Sequence, residues 1–181
     1  MLIDTTTNNA ALAEMLDVIR DGDTLGFAGV GVSRPLGYPT WSDLLGILAD
    51  ETRARCGSDV CVDGETLSVD DVEAFSDLLL SAKIFKAALG NRYFAVMRSL
   101  FGPRGPRPAS VSHLLSLPFR HLITSNYDPT LDPITSPLQS GNPVGIFTLN
   151  NTQALRDFLL HLGDRTYGKR VVHVHGRYDD P

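Results

Sequence analysis

The sequence predicts an α/β fold in which a Rossmann-like parallel sheet is flanked by helices. Short apolar segments typical of strands alternate along the chain with longer segments whose apolar residues recur at helical spacing. Three of the strand segments end in turns that contain glycine, asparagine or histidine, and parallel sheets present their ligands at that edge. With 181 residues, the chain is long enough for one domain with a hydrophobic core.

One predicted helix precedes the first predicted strand, 24–28, along the chain, and another follows it. The helix 8–20 has apolar residues at helical spacing behind polar capping residues, and the helix 41–55 repeats that spacing. Residues 56–68 are polar, and we expect them to be irregular.

A helical block over 69–100 follows. Apolar spacing predicts one long helix over 69–89, and after Gly90 the pattern continues to residue 100. We interpret this block as an insertion into the sheet domain, or as a small lid. The remaining predicted elements are the helices 110–116 and 152–162, the strands 120–124, 144–149 and 170–174, and a turn-rich segment, 126–143.

Composition narrows the classes of function. The chain is 43% hydrophobic and 20% charged, which are globular values, and its net charge is -5. An acidic balance gives no support to direct binding of nucleic acid. A local basic cluster of Arg98, Arg104 and Arg107 borders a segment rich in glycine and proline, and we expect that segment, 102–108, to be a solvated loop.

The two cysteines, Cys56 and Cys61, indicate free thiols, because a structural zinc site needs further cysteine or histidine ligands and none lies nearby. So few cysteines fit a reducing cytosol. The first residues carry neither a basic segment nor a long apolar run, so the sequence predicts neither a signal peptide nor a membrane-spanning helix. We therefore expect a cytoplasmic protein that uses no metal and contacts no membrane.

The strand 24–28 leads into a glycine loop, Gly29-Val30-Gly31-Val32-Ser33, with Gly37 and Pro39 after it. A strand, a glycine loop and a helix suit a dinucleotide, because glycine lets the backbone approach a pyrophosphate closely beside a helix N-terminus. The dehydrogenase pattern needs a third glycine where this chain has Arg34, and an acidic ribose ligand about 20 residues further on is not evident. A dehydrogenase is therefore a poor fit.

The second strand ends in Thr124-Ser125-Asn126-Tyr127-Asp128. The side-chain amide of Asn126 can donate and accept hydrogen bonds at once, which suits holding ribose hydroxyls or a water molecule. Asparagine and aspartate after a strand also form simple Asx turns, so the segment by itself leaves a purely structural turn open. Its place after a glycine loop favours the binding role.

The last strand ends in His173-Val174-His175-Gly176. An imidazole with an ordinary pKa of about 6.5 can accept a proton at neutral pH. Either histidine of this turn could instead be a hydrogen-bonded core residue. That structural role is the one we expect for His113, His121 and His161.

Taken together and in this order, the three motifs resemble those of the sirtuin-like family of NAD-consuming proteins. The family pattern is Gly-Ala-Gly-Val-Ser followed by Gly-x-Pro, and this chain departs from it at Val30, where alanine is usual. Thr40-Trp41-Ser42 stands where deacylases carry Asp-Phe-Arg, and this variant resembles the prokaryotic antiphage-defence branch.

The resemblance implies cleavage of the nicotinamide–ribose bond of NAD, which is the substrate, without a metal. It implies that Asn126 is catalytic and orients the ribose and the attacking water. It also selects His175, which precedes Gly176, as the general base and leaves His173 in a core role. The binding residues implied by resemblance are Gly29, Gly31 and Ser33 on the pyrophosphate side, Asp128, which shapes the nicotinamide-side pocket, and Thr124.

Domains of the defence branch deplete cellular NAD when infection is sensed. The resemblance therefore implies an oligomeric effector of antiviral defence, with a sensor domain or partner chain outside one sirtuin-like NAD-binding domain, 1–181. The chain ends five residues after Gly176, where a sirtuin-like sheet would continue. We therefore expect a domain truncated at its C-terminus and belonging to the front of a longer protein.

Three alternatives stay open. A protein deacylase or ADP-ribosyltransferase would consume NAD while acting on an acceptor, and it would need an acyl-lysine groove. A non-catalytic sensor would bind NAD or ADP-ribose tightly without turnover. A scaffolding α/β domain would use neither Asn126 nor His175 chemically.

Overall fold

The computed structural model describes residues 5–132, 146–148, 151–164 and 166–179. Its helices are α1 (Thr5–Arg20), α2 (Trp41–Cys56), α3 (Val69–Glu73), α4 (Leu78–Leu89), α5 (Asn91–Phe101), α6 (Ala109–Ser116) and α7 (Thr152–Leu160). Its strands are β1 (Leu25–Ala28), β2 (Asp59–Val62), β3 (Glu65–Ser68), β4 (His121–Thr124), β5 (Ile146–Thr148) and β6 (Val171–His173).

Four of the strands form one parallel sheet in the order β1-β4-β6-β5. Ala28 at the end of β1 lies opposite Thr124 at the end of β4, and Thr124 lies opposite His173 at the end of β6. The carboxyl ends of these three strands are therefore level at one edge. This confirms the predicted α/β class with a parallel sheet flanked by helices, and the arrangement is compatible with a Rossmann-like fold.

The sheet packs closely around β4. Leu122 is fully buried, and a Cβ atom added at Gly26 would lie 2.5 Å from its side chain. Glycine at this position therefore lets β1 approach the side chain of its neighbour. Leu122 shares an apolar cluster with Val111 of α6 and Val171 of β6, so helix and sheet bury a common core.

A second apolar cluster holds the helices between 41 and 101 together. Its largest fully buried side chains are Leu44, Leu48, Phe85, Leu89 and Met97. Helix α2 begins at Trp41 because Thr40 and Asp43 cap its N-terminus reciprocally, each side chain bonding to the other's backbone N–H. The cap thereby fixes the place of Trp41 at the start of the helix. The interpretation of 69–100 as an insertion or lid stays a prediction.

The prediction that 56–68 is irregular is wrong. Strands β2 and β3 pair antiparallel across this segment, and Asp63-Gly64 forms the turn between them. Both turn residues have positive φ, 54° and 85°, which is the conformation that an Asp-Gly pair supplies in a tight hairpin. The Asp-Gly pair was thus the local signal for this hairpin.

The prediction of one long helix over 69–89 is also wrong. Helix α3 ends at Glu73, and α4 begins at Leu78. A carboxylate oxygen of Asp77 accepts hydrogen bonds from the backbone N–H groups of Leu79 and Leu80, at 3.1 and 3.0 Å. Asp77 therefore caps a new helix inside apolar spacing that otherwise continues.

Other expectations have mixed outcomes. Cys56 and Cys61 are free, exposed thiols, as predicted. Residues 133–143 of the predicted turn-rich segment lie outside the described residues, as do 144, 145 and 149 of the predicted strand 144–149. Over the described ranges, no helix is long and apolar enough to cross a membrane, and no group of three or more His, Cys, Asp or Glu side chains is placed to hold a metal ion.

Candidate functional site

The glycine loop and the Asn/Asp turn meet at the level edge of the sheet. Asn126 Nδ2 donates hydrogen bonds to the carbonyl oxygen of Gly29 at 3.0 Å and to Ser33 Oγ at 2.8 Å. Ser33 Oγ in turn donates to Asp128 Oδ1 at 2.9 Å. Ser33, Asn126 and Asp128 are 0%, 8% and 3% exposed, so the network that joins the two motifs is buried.

This network fixes the orientation of the Asn126 amide. A serine hydroxyl has a single proton and an ionised carboxylate can only accept, so Ser33 donates to Asp128 and accepts from Asn126. The carbonyl oxygen of Gly29 can likewise only accept. The amide nitrogen therefore faces Gly29 and Ser33, with both protons in use. No hydrogen bond joins Asn126 Oδ1 to a described residue, so toward a ligand the amide offers an acceptor and not a donor as well.

Backbone contacts hold the Asn/Asp turn in place. Thr124 is fully buried, and its Oγ1 accepts from the N–H of Asn126 at 3.1 Å. Asp128 Oδ1 also accepts from the N–H of Thr130 at 3.0 Å and caps the short 3-10 helix Pro129–Leu131. The segment therefore is a capped turn of the kind that the structural alternative predicted, and it also lines a pocket.

Gly29 and Gly31 have no conformational need to be glycine. Gly29 has φ −110°, and within the described chain neither residue is among those with positive φ. A Cβ atom added at Gly31 would meet no described atom within 4 Å, and one at Gly29 would meet Ser125 Oγ only at 3.9 Å. Close approach of a ligand to the backbone would explain glycine where neither dihedral angles nor packing require it.

A pocket opens beside the network. Its lining residues are Val30, Pro39, Thr40, Trp41, Leu44, Phe101, Ser125, Asn126, Tyr127 and Asp128. The rings of Trp41 and Tyr127 contact each other there, with centroids 5.6 Å apart. The pocket has a volume of about 20 Å³, which is room for about one water molecule, so a flat ring would enter it only if the Trp41 or Tyr127 side chain moved.

His173 holds the Asn/Asp turn from the neighbouring strand. Its ring is completely buried, with Nδ1 2.7 Å from the carbonyl oxygen of Asn126 and Nε2 2.9 Å from Asp132 Oδ1. Because a carbonyl can only accept, Nδ1 donates to Asn126. The second carboxylate oxygen of Asp132 lies 3.3 Å from Arg177. The prediction that His173 is a hydrogen-bonded core residue is confirmed, whereas the same expectation is wrong for His113, which is exposed on α6.

His175 lies beyond the end of β6, in a turn where Gly176 adopts φ 88°. Its ring is half-buried and packs edge-on against Trp41, with centroids 5.5 Å apart. Burial lowers the pKa of His175 below its ordinary value of 6.5. The imidazole is therefore neutral at pH 7 and able to accept a proton.

His175 does not line the pocket that Asn126 lines. It faces a neighbouring pocket with Lys83 and Lys86 of α4, and Tyr127 lines both pockets. In the part of the chain that the structure describes, no hydrogen bond joins the His175 ring to Asn126. A substrate that uses both residues would therefore have to reach past the Tyr127 ring.

Sequence reasoning missed three contributors to this region. Trp41 and Tyr127 form the aromatic wall between the two pockets, and Asp132 anchors His173. The contact between Asp132 and His173 spans 41 residues, so no local pattern announces it. An aromatic residue at the start of the predicted helix 41–55 was the available signal for Trp41.

No protein-family model matches this chain, and no curated protein is significantly similar to it. The predicted residues that hydrogen bonds join directly are Gly29, Ser33, Thr124, Asn126 and Asp128. The fold and the site therefore define a class: a parallel α/β domain whose glycine loop and Asn/Asp turn surround a partly apolar crevice, with a neutral histidine beside it.

Proposed function

We propose that this chain is a sirtuin-like, NAD-hydrolysing domain that releases nicotinamide and ADP-ribose. The observation that supports the proposal most is the buried junction of Ser33, Asn126 and Asp128, which joins both motifs beside an aromatic pocket. Gly31 gives a pyrophosphate room to approach the backbone. A Rossmann-like sirtuin fold with a helical insertion at about 69–100 is part of the same proposal.

In the proposed reaction, a water molecule adds to the anomeric carbon of the ribose as the bond to the nicotinamide nitrogen breaks. The electron pair of that bond goes to the ring, which leaves as neutral nicotinamide because its nitrogen was cationic. Positive charge develops on the ribose in an oxocarbenium-like transition state. The protein then contributes positioning and electrostatic stabilisation.

Asn126 and Asp128 have distinct parts in this scheme. Asn126 Oδ1 accepts a hydrogen bond from a ribose hydroxyl or from the attacking water, since both amide protons are already used. The buried carboxylate of Asp128 places negative charge beside the pocket, where it favours cationic character on the substrate. Ser33 positions both groups through one hydroxyl.

His175 is the proposed general base. The proton lost by the water or by a ribose hydroxyl goes to a ring nitrogen of His175, which its lowered pKa keeps neutral beforehand. This role requires the bound substrate to extend past Tyr127 into the neighbouring pocket.

The placement of Asn126 and His175 in different pockets favours a second candidate function. A domain whose base and amide line different pockets could bind NAD or ADP-ribose without cleaving it, and would then act as a sensor. The two candidates differ in turnover and share the binding site around Asn126.

We further propose that hydrolysis serves antiviral defence in the cytoplasm. The resemblance of Thr40-Trp41-Ser42 and its surroundings to the defence branch supports this setting. In it, the domain is the effector part of an oligomer, and a sensor domain or partner chain triggers it.

The test is nicotinamide and ADP-ribose release from NAD by the longest natural form of the protein. We expect turnover to fall at least about 100-fold in Asn126→Ala and in His175→Ala. His113→Ala is the matched control, because His113 is exposed on α6 and should leave turnover unchanged. Circular dichroism checks that each variant folds.

Three outcomes would contradict parts of the proposal. Tight NAD binding by the wild-type protein without turnover would replace hydrolysis by sensing. Transfer of ADP-ribose or removal of an acyl group from a protein acceptor would favour the transferase or deacylase alternative. Full turnover in His175→Ala would remove His175 as the base.

A further inference from the structure

The segment 102–108 is a loop, as its composition predicted, and Pro103, Gly105 and Pro106 are exposed, but its two arginines are half-buried and fold back onto the protein. Arg104 donates hydrogen bonds to the carbonyl oxygen of Gly37 and, at 2.8 Å, to that of Leu100. Its guanidinium lies 4.8 Å from the centre of the Tyr38 ring, which places it in cation–π range. This arginine is half-buried and holds the segment against the end of the glycine loop.

Arg107 folds back in the same way on the other side of the segment. It is half-buried, and its guanidinium donates to the carbonyl oxygen of Asp132. Because its half-buried guanidinium is less well solvated than an exposed one, the pKa of Arg107 lies below its ordinary value.

Arg104 and Arg107 both line one cavity. The cavity has a volume of about 390 Å³, enough for a group far larger than a water molecule. Its other lining residues include Leu36, Tyr38, Thr130 and Asp132. The hydroxyl oxygen of Thr130 is buried and has no hydrogen-bond partner among the described residues.

The charges around this cavity do not balance within the described chain. Asp132 is the one carboxylate among the lining residues, and it is engaged by His173 and Arg177. Neither Arg104 nor Arg107 forms a salt bridge with a described carboxylate, and most N–H groups of both guanidiniums have no partner there. Two half-buried cations thus line a cavity whose one described carboxylate, Asp132, is already engaged by His173 and Arg177.

We propose that this cavity binds a phosphate-bearing ligand between Arg104 and Arg107. The planar guanidinium group presents pairs of N–H donors that match two oxygens of a phosphate, and this geometry favours arginine over lysine at such sites. The proposal goes beyond NAD hydrolysis and does not depend on it. The pocket that Asn126 lines lies on one side of the segments 36–39 and 128–132, and this cavity lies on their other side.

The phosphate could belong to either of two sources. The segments 36–40 and 128–132 contribute residues both to this cavity and to the pocket that Asn126 lines, so the two are neighbours. A dinucleotide could therefore place its diphosphate in this cavity. A separate phosphorylated ligand could equally occupy the cavity alone. Competition with NAD distinguishes these sources, and both require the arginine pair.

The test is calorimetric titration of the folded protein with inorganic pyrophosphate at low salt. We expect saturable binding that weakens at least about 10-fold in Arg104→Ala and in Arg107→Ala. Arg98→Ala is the matched control, because it removes the same charge from an exposed position on α5 outside the cavity and should bind like the wild-type protein. Added NAD should abolish pyrophosphate binding if the dinucleotide supplies the phosphate, and leave it intact if a separate ligand does.

If the alanine variants fail to fold, Arg104→Lys and Arg107→Lys take their place, because they keep the positive charge. We expect them to bind pyrophosphate more weakly than the wild-type protein, since lysine lacks the paired donors. Absence of binding to the wild-type protein, unchanged binding in all four cavity variants, or an equal loss in Arg98→Ala would overturn the proposal. Nicotinamide release is a separate measurement, so failure of the proposed hydrolysis is distinguishable from failure of this site.

Discussion

The hydroxyl of Ser33 donates a 2.9 Å hydrogen bond to the carboxylate of Asp128, and 95 residues separate them in the chain. Both side chains are buried, so this bond forms away from competing water. It closes the glycine loop onto the Asn/Asp turn and, through the same serine oxygen, orients the amide of Asn126. The chemistry of the candidate site therefore depends on a contact between two distant strand ends.

Removal of this hydroxyl should destabilise the protein. Ser33→Ala leaves a buried carboxylate without one of its donors and Asn126 Nδ2 without one acceptor. We expect the free energy of unfolding to fall by about 2–3 kcal/mol in urea denaturation. Ser99→Ala, at an exposed position on α5, is the control and should change it by less than about 0.5 kcal/mol. Equal small effects in both variants would show that the junction contributes nothing.

The two histidines of the last turn should separate stability from activity. His173 is completely buried with both ring nitrogens bonded, so His173→Ala should lower the free energy of unfolding by about 2–4 kcal/mol. His175 is half-buried and packs against Trp41, so His175→Ala should lower it by no more than about 1 kcal/mol.

Thermal unfolding and nicotinamide release on the same samples check this pair. The expected pattern is an unstable His173→Ala and a stable but inactive His175→Ala. A stable, inactive His173→Ala would instead assign the base to the buried ring.

Two glycine substitutions should differ in what they disturb. Gly31→Ala places a methyl group in open space, so stability should be kept while NAD binding weakens at least about 10-fold by obstruction of the backbone approach. Gly37 has φ 78°, and an added Cβ atom would lie 3.4 Å from Arg104. Gly37→Ala should therefore lower the free energy of unfolding by about 1–2 kcal/mol.

Calorimetric NAD titration and urea denaturation of both variants test this contrast. Normal NAD affinity in Gly31→Ala would mean that no ligand approaches the loop there. Unchanged stability in Gly37→Ala would contradict the strain expected at a positive φ.

The pH dependence of turnover should report the environment of His175. Because burial lowers its pKa below 6.5, the ring stays a neutral base through neutral pH. We expect kcat/KM for NAD to be level above pH 6.5 and to fall only as the pH drops through the lowered pKa. A decline that begins well above pH 6.5 would contradict this environment.

Stability should follow pH in a related window. The pKa values of His121 and His175 are both lowered by burial in the folded state, so the unfolded chain binds more protons as pH falls through 6.5. The free energy of unfolding should therefore be lower at pH 5 than at pH 7.5. Urea denaturation at both pH values checks this, and replacement of His175 by glutamine should reduce the difference.

Several elements were predictable because their causes are local. The start of α2 follows from Thr40 and Asp43, three residues apart, and the strand before the glycine loop follows from its apolar residues. The hairpin at Asp63-Gly64 and the cap at Asp77 had equally local signals, and the long polar and apolar stretches around them obscured both.

The contacts of the segment 102–108, in contrast, could not be predicted from the sequence. Glycine, proline and arginine are typical of solvated loops, and nothing nearby indicates burial. Arg104 and Arg107 are held by carbonyl groups of Gly37 and Asp132, which only the folded chain brings within reach. Composition could not predict these partners, because they come from other parts of the sequence.

By itself, the sequence determined which side chains stand at the ends of the strands and therefore the α/β class and the motifs at the sheet edge. Only the tertiary structure decided which of them meet. Ser33 joins Asn126 and Asp128 because β1 and β4 pair in level register, whereas His175 faces a different pocket because the strand ends at His173 and the chain turns. Strand patterns are local in sequence, but register and turn direction depend on contacts between distant segments.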